Sequence, residues 1–240
     1  MPGGIYSALS GLRTQTERLD RLATDIANSV TSGYRGARTG AVAVERDSFA
    51  ATLDSAVDVV SSEQRSDFRA GEISPTGRDL DLAIEGEGFF TVQTPTGLQY
   101  TRNGHFTRLP DGKVATSDGC PLLGEDGPIQ LPPGDLKIDK DGTFRVGETT
   151  IGRPVVTAFA DPTRLIRTDG IRFQAPNGLA GTRNEAASVH SGVLEQSNVQ
   201  LQERISQLTA ASRGFEALTR GISVLSNDID GRAITELGRR

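Results

Sequence analysis

Near the start of the chain, positions Ile5, Leu9, Leu12, Thr16, Leu19, Ala23, Ile26 and Val30 follow one another in alternating steps of four and three. That spacing is the a/d seam of a coiled coil rather than the broader apolar stripe of a globular helix. It predicts a helix from about Gly4 to Ala27 or Asn28, stopped by the polar, glycine-containing run Asn28-Ser29 and Thr31-Ser32-Gly33. At the other end Leu201, Leu208, Phe215, Ile222 and Ile229 recur every seven residues, with Ile205, Leu218 and Leu225 widening the apolar face. A second helix is expected there, capped by Ser197 or Asn198 and reaching about Leu237. The two are expected to pair as a coiled coil.

That seam is weak. Thr16 and Ala23 occupy it on one side, Ser212, Thr219 and Ser226 on the other, and Gly214 and Gly221 each cost about 1 kcal/mol inside a helix. Helices this polar need apolar surface from neighbouring subunits, so the pattern points to a polymer.

Between the helices the period changes to two. Leu80, Leu82 and Ile84 alternate with Asp79, Asp81, Ala83 and Glu85, as on a strand with one solvated face. Gly86-Glu87-Gly88 then turns the chain into Phe89-Phe90-Thr91-Val92. The dipeptides Asp111-Gly112, Asp118-Gly119, Asp126-Gly127, Asp141-Gly142 and Asp169-Gly170 supply further turns, predicting about ten short strands between residues 79 and 175. The expected class is α+β: long N- and C-terminal helices pairing as a coiled coil around a central all-β domain. The boundaries are residues 1–33 for the first helix, 34–75 for an extended and partly irregular linker, 76–185 for the β domain and 186–240 for the second helix. Within the linker, 41–44 and 57–60 look strand-like.

Composition narrows the function. Only 35% of residues are hydrophobic and 5% aromatic, with no Trp and 28 Gly, which suits turns and short strands over a thin core. With 26 basic and 31 acidic residues the net charge is -5, so no basic field invites nucleic acid. No stretch reaches the ~20 apolar residues of a membrane span, and the start of the chain lacks the apolar core of a secretory signal.

The candidate chemistry is sparse, and neither catalytic, cofactor nor metal residues are assigned. Cys120 is the single cysteine, read as a small buried residue. His105 and His190 stand outside any metal-ligand spacing and are read as surface or turn residues. Asp79, Asp81, Glu85 and Glu87 raise the alternative of a carboxylate pair acting on peptidoglycan, against the plainer reading of a solvated strand face and turn. Asp139-Lys140-Asp141-Gly142 lacks the later ligands of a calcium loop and is read as a hairpin turn.

Three blocks carry a family resemblance. Ile5-Tyr6-Ser7-Ala8-Leu9-Ser10-Gly11-Leu12, closing with Asp25-Ile26-Ala27-Asn28 and Thr31-Ser32-Gly33-Tyr34-Arg35, resembles the N-terminal signature of bacterial flagellar rod and hook proteins. The run from Thr76 to Phe90, continued by Tyr100-Thr101-Arg102-Asn103-Gly104-His105-Phe106, is similar to that family's central block. Ser191-Gly192-Val193-Leu194-Glu195-Gln196-Ser197-Asn198-Val199, followed by Arg213-Gly214-Phe215-Glu216-Ala217, is similar to its C-terminal block. The resemblance is strongest to the proximal-rod branch, with the distal-rod branch and hook-type axial subunits next. Absence of Pro before Gly33, together with Gly214 and Gly221, departs from the family pattern.

The resemblance implies a structural, non-enzymatic subunit of the rod in the flagellar basal body. Its partners are copies of itself, other rod subunits and the flagellar type III export apparatus, with no nucleic acid and no small-molecule substrate. Export without a cleaved signal and a position spanning the periplasm follow from the same resemblance. The residues it singles out are Ala27, Asn28, Gly33, Tyr34, Gly86, Gly88, Phe89, Phe90, Ser197, Asn198 and Val199. For the subunit interface the expected residues are Ile5, Leu9, Leu12, Leu19 and Ile26 with Leu201, Ile205, Leu208, Phe215, Leu218, Ile222, Leu225 and Ile229.

Overall fold

A computed structural model describes residues 3–39, 64–139 and 142–237, with side chains placed at 10–38, 65–139 and 142–224. The strand-like runs 41–44 and 57–60 lie outside the described residues. Two compact units are present, one built on the terminal helices and the other on residues 28–38 and 65–199.

The helical unit contains α1 (Gly3–Ala27) and α2 (Leu201–Leu237), the two α-helices among the described residues. Neither is apolar enough to cross a membrane. They run antiparallel: a Cβ on Gly11 would lie 3.9 Å from Leu218 Cδ1, one on Gly214 3.7 Å from Gln15 Nε2, and Arg204 Nε meets Asp25 Oδ2 at 3.2 Å. This arrangement overturns the expected coiled coil. Leu201 and Ile205 are 42% and 47% exposed, and Thr16 and Ala23 also face solvent, whereas the buried positions are Leu22, Asp25 and Ala211. Leu12, Leu19, Ile26, Leu208, Phe215, Leu218 and Ile222 are only half-buried. In a coiled coil the a and d side chains insert as knobs into the facing helix and are the positions covered. Here the most buried α1 positions are Leu22 and Asp25, one position off the expected register, and Ala211 is the most buried on α2. The interface residues Ile5, Leu9, Leu225 and Ile229 lie outside the described side chains.

The start of α2 also differs from expectation. It begins at Leu201, where Arg204 N–H donates to Gln200 O at 3.1 Å. Ser197 Oγ instead accepts from Val199 N–H at 3.2 Å, and Asn198 is engaged elsewhere.

The β unit is a set of small antiparallel sheets running from β1 (Ala37–Thr39) to β19 (Val193–Glu195), with thirteen strands among the described residues from β4 (Leu82–Glu85) to β16 (Arg172–Gln174), where turn spacing predicts about ten. The largest sheet has six strands: β15 (Ile166–Arg167), β16, β6 (Gly97–Thr101), β5 (Phe89–Thr94), β14 (Val156–Ala158) and β17 (Thr182–Arg183) in that spatial order. Successive side chains of a strand point to opposite faces, so the adjacent Phe89 and Phe90 enter two different cores. Phe90 packs with Leu82, Val92, Phe106, Leu122, Phe144 and Val189, and Phe89 with Phe159, Leu165 and Phe173. β5 is therefore covered on both sides.

The same double burial corrects the expectation for residues 79 to 85. Leu82, Ala83 and Ile84 are all buried, and Asp81 is 2% exposed. Instead of facing solvent, Asp81 Oδ1 lies 3.0 Å from His105 Nδ1 and 3.5 Å from Arg78 Nη1. Asp79, Glu85 and Glu87 are exposed. A buried, ion-paired Asp81 is not a carboxylate available to activate water. Of the turn read at Asp139-Lys140-Asp141-Gly142, residues 140 and 141 lie outside the described residues; on either side of them Gly142 N–H donates to Asp139 O at 2.9 Å and Asp139 N–H to Thr143 O at 3.0 Å.

Candidate functional site

Where the chain leaves α1 and where it returns towards α2, two connectors enter the β unit. Both are held at one buried junction. After α1 a turn forms, with Thr31 N–H donating to Asn28 O at 3.1 Å and Thr31 Oγ1 to Asn28 Oδ1 at 3.3 Å. Gly33 follows with φ +70, a left-handed conformation that costs a residue with a Cβ about 1–2 kcal/mol. Space is equally decisive there, since a Cβ on Gly33 would meet Asn103 N at 2.2 Å and Arg102 C at 2.4 Å. Only glycine allows this approach.

On the returning side, β18 (Ser188–Ser191) pairs with β4, and β19 pairs with β3 (Ile73–Pro75). Gly192, φ +74, swings the chain between the two pairings, and its carbonyl accepts from Thr76 N–H at 2.8 Å. β19 thereby delivers Glu195 to the centre of the junction.

Glu195 is 2% exposed and takes partners from three other parts of the chain, 33–35, 71 and 102. Arg35 Nη2 donates to Oε1 at 2.6 Å, Gly71 N–H donates to the same oxygen at 2.9 Å, and Arg102 Nη1 donates to Oε2 at 3.2 Å. The Glu195 carbonyl accepts from Gly33 N–H at 2.8 Å. Arg102 goes on to donate to Ile84 O at 3.2 Å and Gly86 O at 2.7 Å, with its guanidinium 5.6 Å from the Phe89 ring. Burial pulls the Arg102 pKa down, Glu195 opposes that shift, and the neighbouring Arg35 cation adds to it. Two guanidiniums thus surround one carboxylate, and Arg35 Nε, Arg35 Nη1 and Arg102 Nε have no hydrogen-bond acceptor among the described residues.

Asn198 completes the clamp. Its Oδ1 accepts from Gly36 N–H at 2.8 Å, and its Nδ2 donates to Asp67 O at 2.8 Å and Arg69 O at 3.0 Å. One amide therefore ties together segments 36, 67–69 and 198. Beside it Arg167 donates to the Arg35 carbonyl and, at 2.7 Å, to Gly170 O, with its guanidinium 4.8 Å from the Tyr34 ring centroid and 5.1 Å from that of Phe173.

Chemically this is a fastening. It offers no nucleophile beside a base, and two cations around one carboxylate repel a metal ion. Arg102, Arg167 and Asn198 each donate to backbone carbonyls, which fixes where each connector runs. Remote from it, Cys120 is buried, with Arg172 Nη1 3.2 Å from its Sγ. His190 Nε2 lies 2.6 Å from Glu85 Oε2.

Of the residues singled out by the motifs, the structure places Gly33, Tyr34, Gly86, Phe89 and Asn198 at this junction. Ser197 and the buried Val199 follow directly on β19. Gly88 lies against Val156, and Phe90 faces the other core. Ala27 is the last residue of α1 and Asn28 begins the turn. Arg35, Arg102, Glu195, Gly71 and Arg167 are not among the residues singled out from sequence. The first three do lie inside the motif blocks, but other charged residues stand in the same blocks and nothing local marks these three.

Comparison with known proteins completes the assignment. Residues 83–146 match the family model for the flagellar hook protein FlgE/F/G D1 domain, and residues 190–231 match that for the flagellar basal body rod FlgEFG protein C-terminal region. These two segments carry most of the β unit's first core and the junction's returning arm, and they define an axial protein of the flagellar hook and rod class. A flagellar basal-body rod protein FlgF of Caulobacter vibrioides is 32% identical over 100% of this chain and 99% of its own length. The FlgF of Escherichia coli is 32% identical over 97% of both chains, and the FlgG of Bacillus subtilis 28% identical over 91% of this chain and 93% of its own. The chain belongs to the flagellar basal-body rod protein family, which bears out the resemblance carried by the sequence motifs.

Proposed function

We propose that this protein is a structural subunit of the bacterial flagellar rod, in its proximal part, serving with other rod subunits and copies of itself as a drive shaft that carries motor torque across the periplasm. The observation that carries the reading is identity above 30% to FlgF rod proteins from end to end. The distal-type FlgG relative, at 28% over a smaller share of the chain, supports proximal over distal placement. The junction supplies a mechanical rationale. Within the β unit, a buried charge network holds both connector segments in fixed paths, which suits a subunit that must carry load.

In this reading the protein acts through its surfaces and not as an enzyme. It reaches the rod through the flagellar export channel, for which a chain with a single cysteine suits passage in an unfolded state. Deleting the gene is expected to stop rod completion, leaving cells without hook or filament, and the full chain supplied in trans is expected to restore both. Normal flagella in the deletion strain would overturn the reading.

A further inference from the structure

The dipeptide Asn-Gly occurs twice in the chain, at Asn103-Gly104 and at Asn177-Gly178, and the structure gives the two opposite surroundings. An asparagine followed by glycine is well placed to react with its own backbone. Because glycine has no side chain, its backbone nitrogen can approach the amide carbon of the asparagine side chain and close a five-membered cyclic imide. The reaction needs a free backbone N–H, a free side-chain amide and room for the ring.

Asn177-Gly178 meets all three conditions. Both residues are exposed, on the turn that joins β16 to β17. Leu179 N–H donates to Pro176 O at 3.1 Å and closes that turn, while neither the Gly178 N–H nor the Asn177 amide makes a hydrogen bond among the described residues. Gly178 has φ +86, and a Cβ built on it meets nothing within 4 Å. The ring has open space.

Asn103-Gly104 meets none of them well. Asn103 Oδ1 accepts from His105 N–H at 3.0 Å, and Asn103 N–H donates to Thr101 Oγ1 at 3.0 Å. Gly104 is buried: Leu82 N–H donates to its carbonyl at 3.0 Å, and a Cβ built on it would lie 1.6 Å from Leu82 O. Here glycine serves close packing, and ring closure requires the backbone to leave β4 first.

We propose that Asn177 is a site of spontaneous deamidation, while the fold protects Asn103. The Gly178 backbone nitrogen loses its proton to hydroxide and bonds to Asn177 Cγ; the Cγ–Nδ2 bond breaks, and Nδ2 takes a proton from water and leaves as ammonia, regenerating hydroxide. Water then opens the imide at either carbonyl, leaving aspartate or isoaspartate at position 177. Each converted copy is one charge more negative than the net charge of -5, and the isoaspartate form carries an extra backbone carbon between Ala175 and Leu179, both packed against the Phe89 core. The turn thereby ages with the subunit, a property independent of the rod reading.

The test incubates the purified full chain in neutral and mildly alkaline buffer and maps tryptic peptides by mass spectrometry. Cleavage at arginine puts Asn177 in peptide 173–183 and Asn103 in peptide 103–108, and a digest at zero time fixes the conversion caused by handling. Asn177 should convert at least about tenfold faster than Asn103, the factor that a local opening cost of about 1.4 kcal/mol already imposes. Its rate should rise with hydroxide concentration, and isoaspartate should accompany aspartate as product. Gly178→Ala should slow the conversion, and in urea the two asparagines should convert at comparable rates. An Asn177 that stays intact, equal rates at the two sites in the folded chain, conversion independent of pH, or aspartate without isoaspartate would each overturn the proposal.

Discussion

Arg35 and Glu195 are 160 positions apart in the chain, yet Arg35 Nη2 lies 2.6 Å from Glu195 Oε1 with both side chains almost fully buried. One belongs to the connector leaving α1 and the other to the strand leading towards α2. Because Arg102 shares the same carboxylate, the β unit fastens both connectors through a single anion.

Glu195→Gln is therefore expected to destabilise the β unit by about 3–5 kcal/mol, the usual cost of leaving buried charges without their partner. Replacing Arg35, Arg102 and Glu195 together by apolar residues of similar size is expected to cost less than the single change. Urea unfolding followed by circular dichroism checks both; a Glu195→Gln midpoint equal to the wild type would show that the carboxylate does not hold the junction.

Two glycines of nearly equal φ separate backbone strain from crowding. Gly77 has φ +72 and nothing within 4 Å of an added Cβ, whereas Gly33 has φ +70 and Asn103 N at 2.2 Å. Gly77→Ala should cost only the left-handed term, about 1–2 kcal/mol. Gly33→Ala should cost clearly more, because backbone atoms of residues 102 and 103 must shift. Equal thermal midpoints for the two variants would refute the close approach.

The Asp118 carboxyl is raised by burial but brought down further by hydrogen bonds from Thr116, Arg172 and Cys120, settling at about 2 against an ordinary 3.8. Arg172 Nη1 donates to Asp118 Oδ2 at 2.6 Å. A carboxyl depressed in the folded state contributes stability that is fully present above its unfolded value and lost as pH falls through the folded one. Stability should thus decline between about pH 4 and pH 2, and Asp118→Asn should reduce that slope while lowering stability at neutral pH. An unaltered acid profile in Asp118→Asn would place the loss in other carboxylates.

How much of this was legible in the sequence follows from the kind of pattern involved. Turn dipeptides are local, and they gave a β-rich centre between two helices, although strands of two or three residues escaped a count based on turn spacing. Phe89 and Phe90 both read as apolar, but nothing in a period-two pattern tells that both faces of β5 are covered. The same blindness made Asp81 look solvated. The coiled coil failed because heptad spacing records which residues are apolar, not which are covered: Leu201 and Ile205 keep the spacing while facing out, and Asp25, a charge, is buried. Three residues of the motif blocks, Gly33, Tyr34 and Asn198, lie at the junction. The pairing of Arg35 and Arg102 with Glu195 joins residues up to 160 positions apart and has no local signature.

The ion pair in the helical unit is the last test, because it takes the place of the apolar seam. Asp25 is 2% exposed and the Arg204 side chain 21%, so water screens their 3.2 Å contact only in part. A charged hydrogen bond in such a setting contributes about 1.5–3 kcal/mol. It also selects one register, since sliding either helix by a turn leaves Asp25 buried without Arg204 near it. Asp25→Ala should therefore lower the temperature at which helicity is lost while leaving the β unit's transition in place, given that the two units have separate cores. Arg204→Ala should do the same, and the exchanged pair Asp25→Arg with Arg204→Asp should recover part of the loss. If the two single changes and their combination are strictly additive in a double-mutant cycle, the residues do not interact and register must be set by the packing of Leu22, Ala211, Gly11 and Gly214.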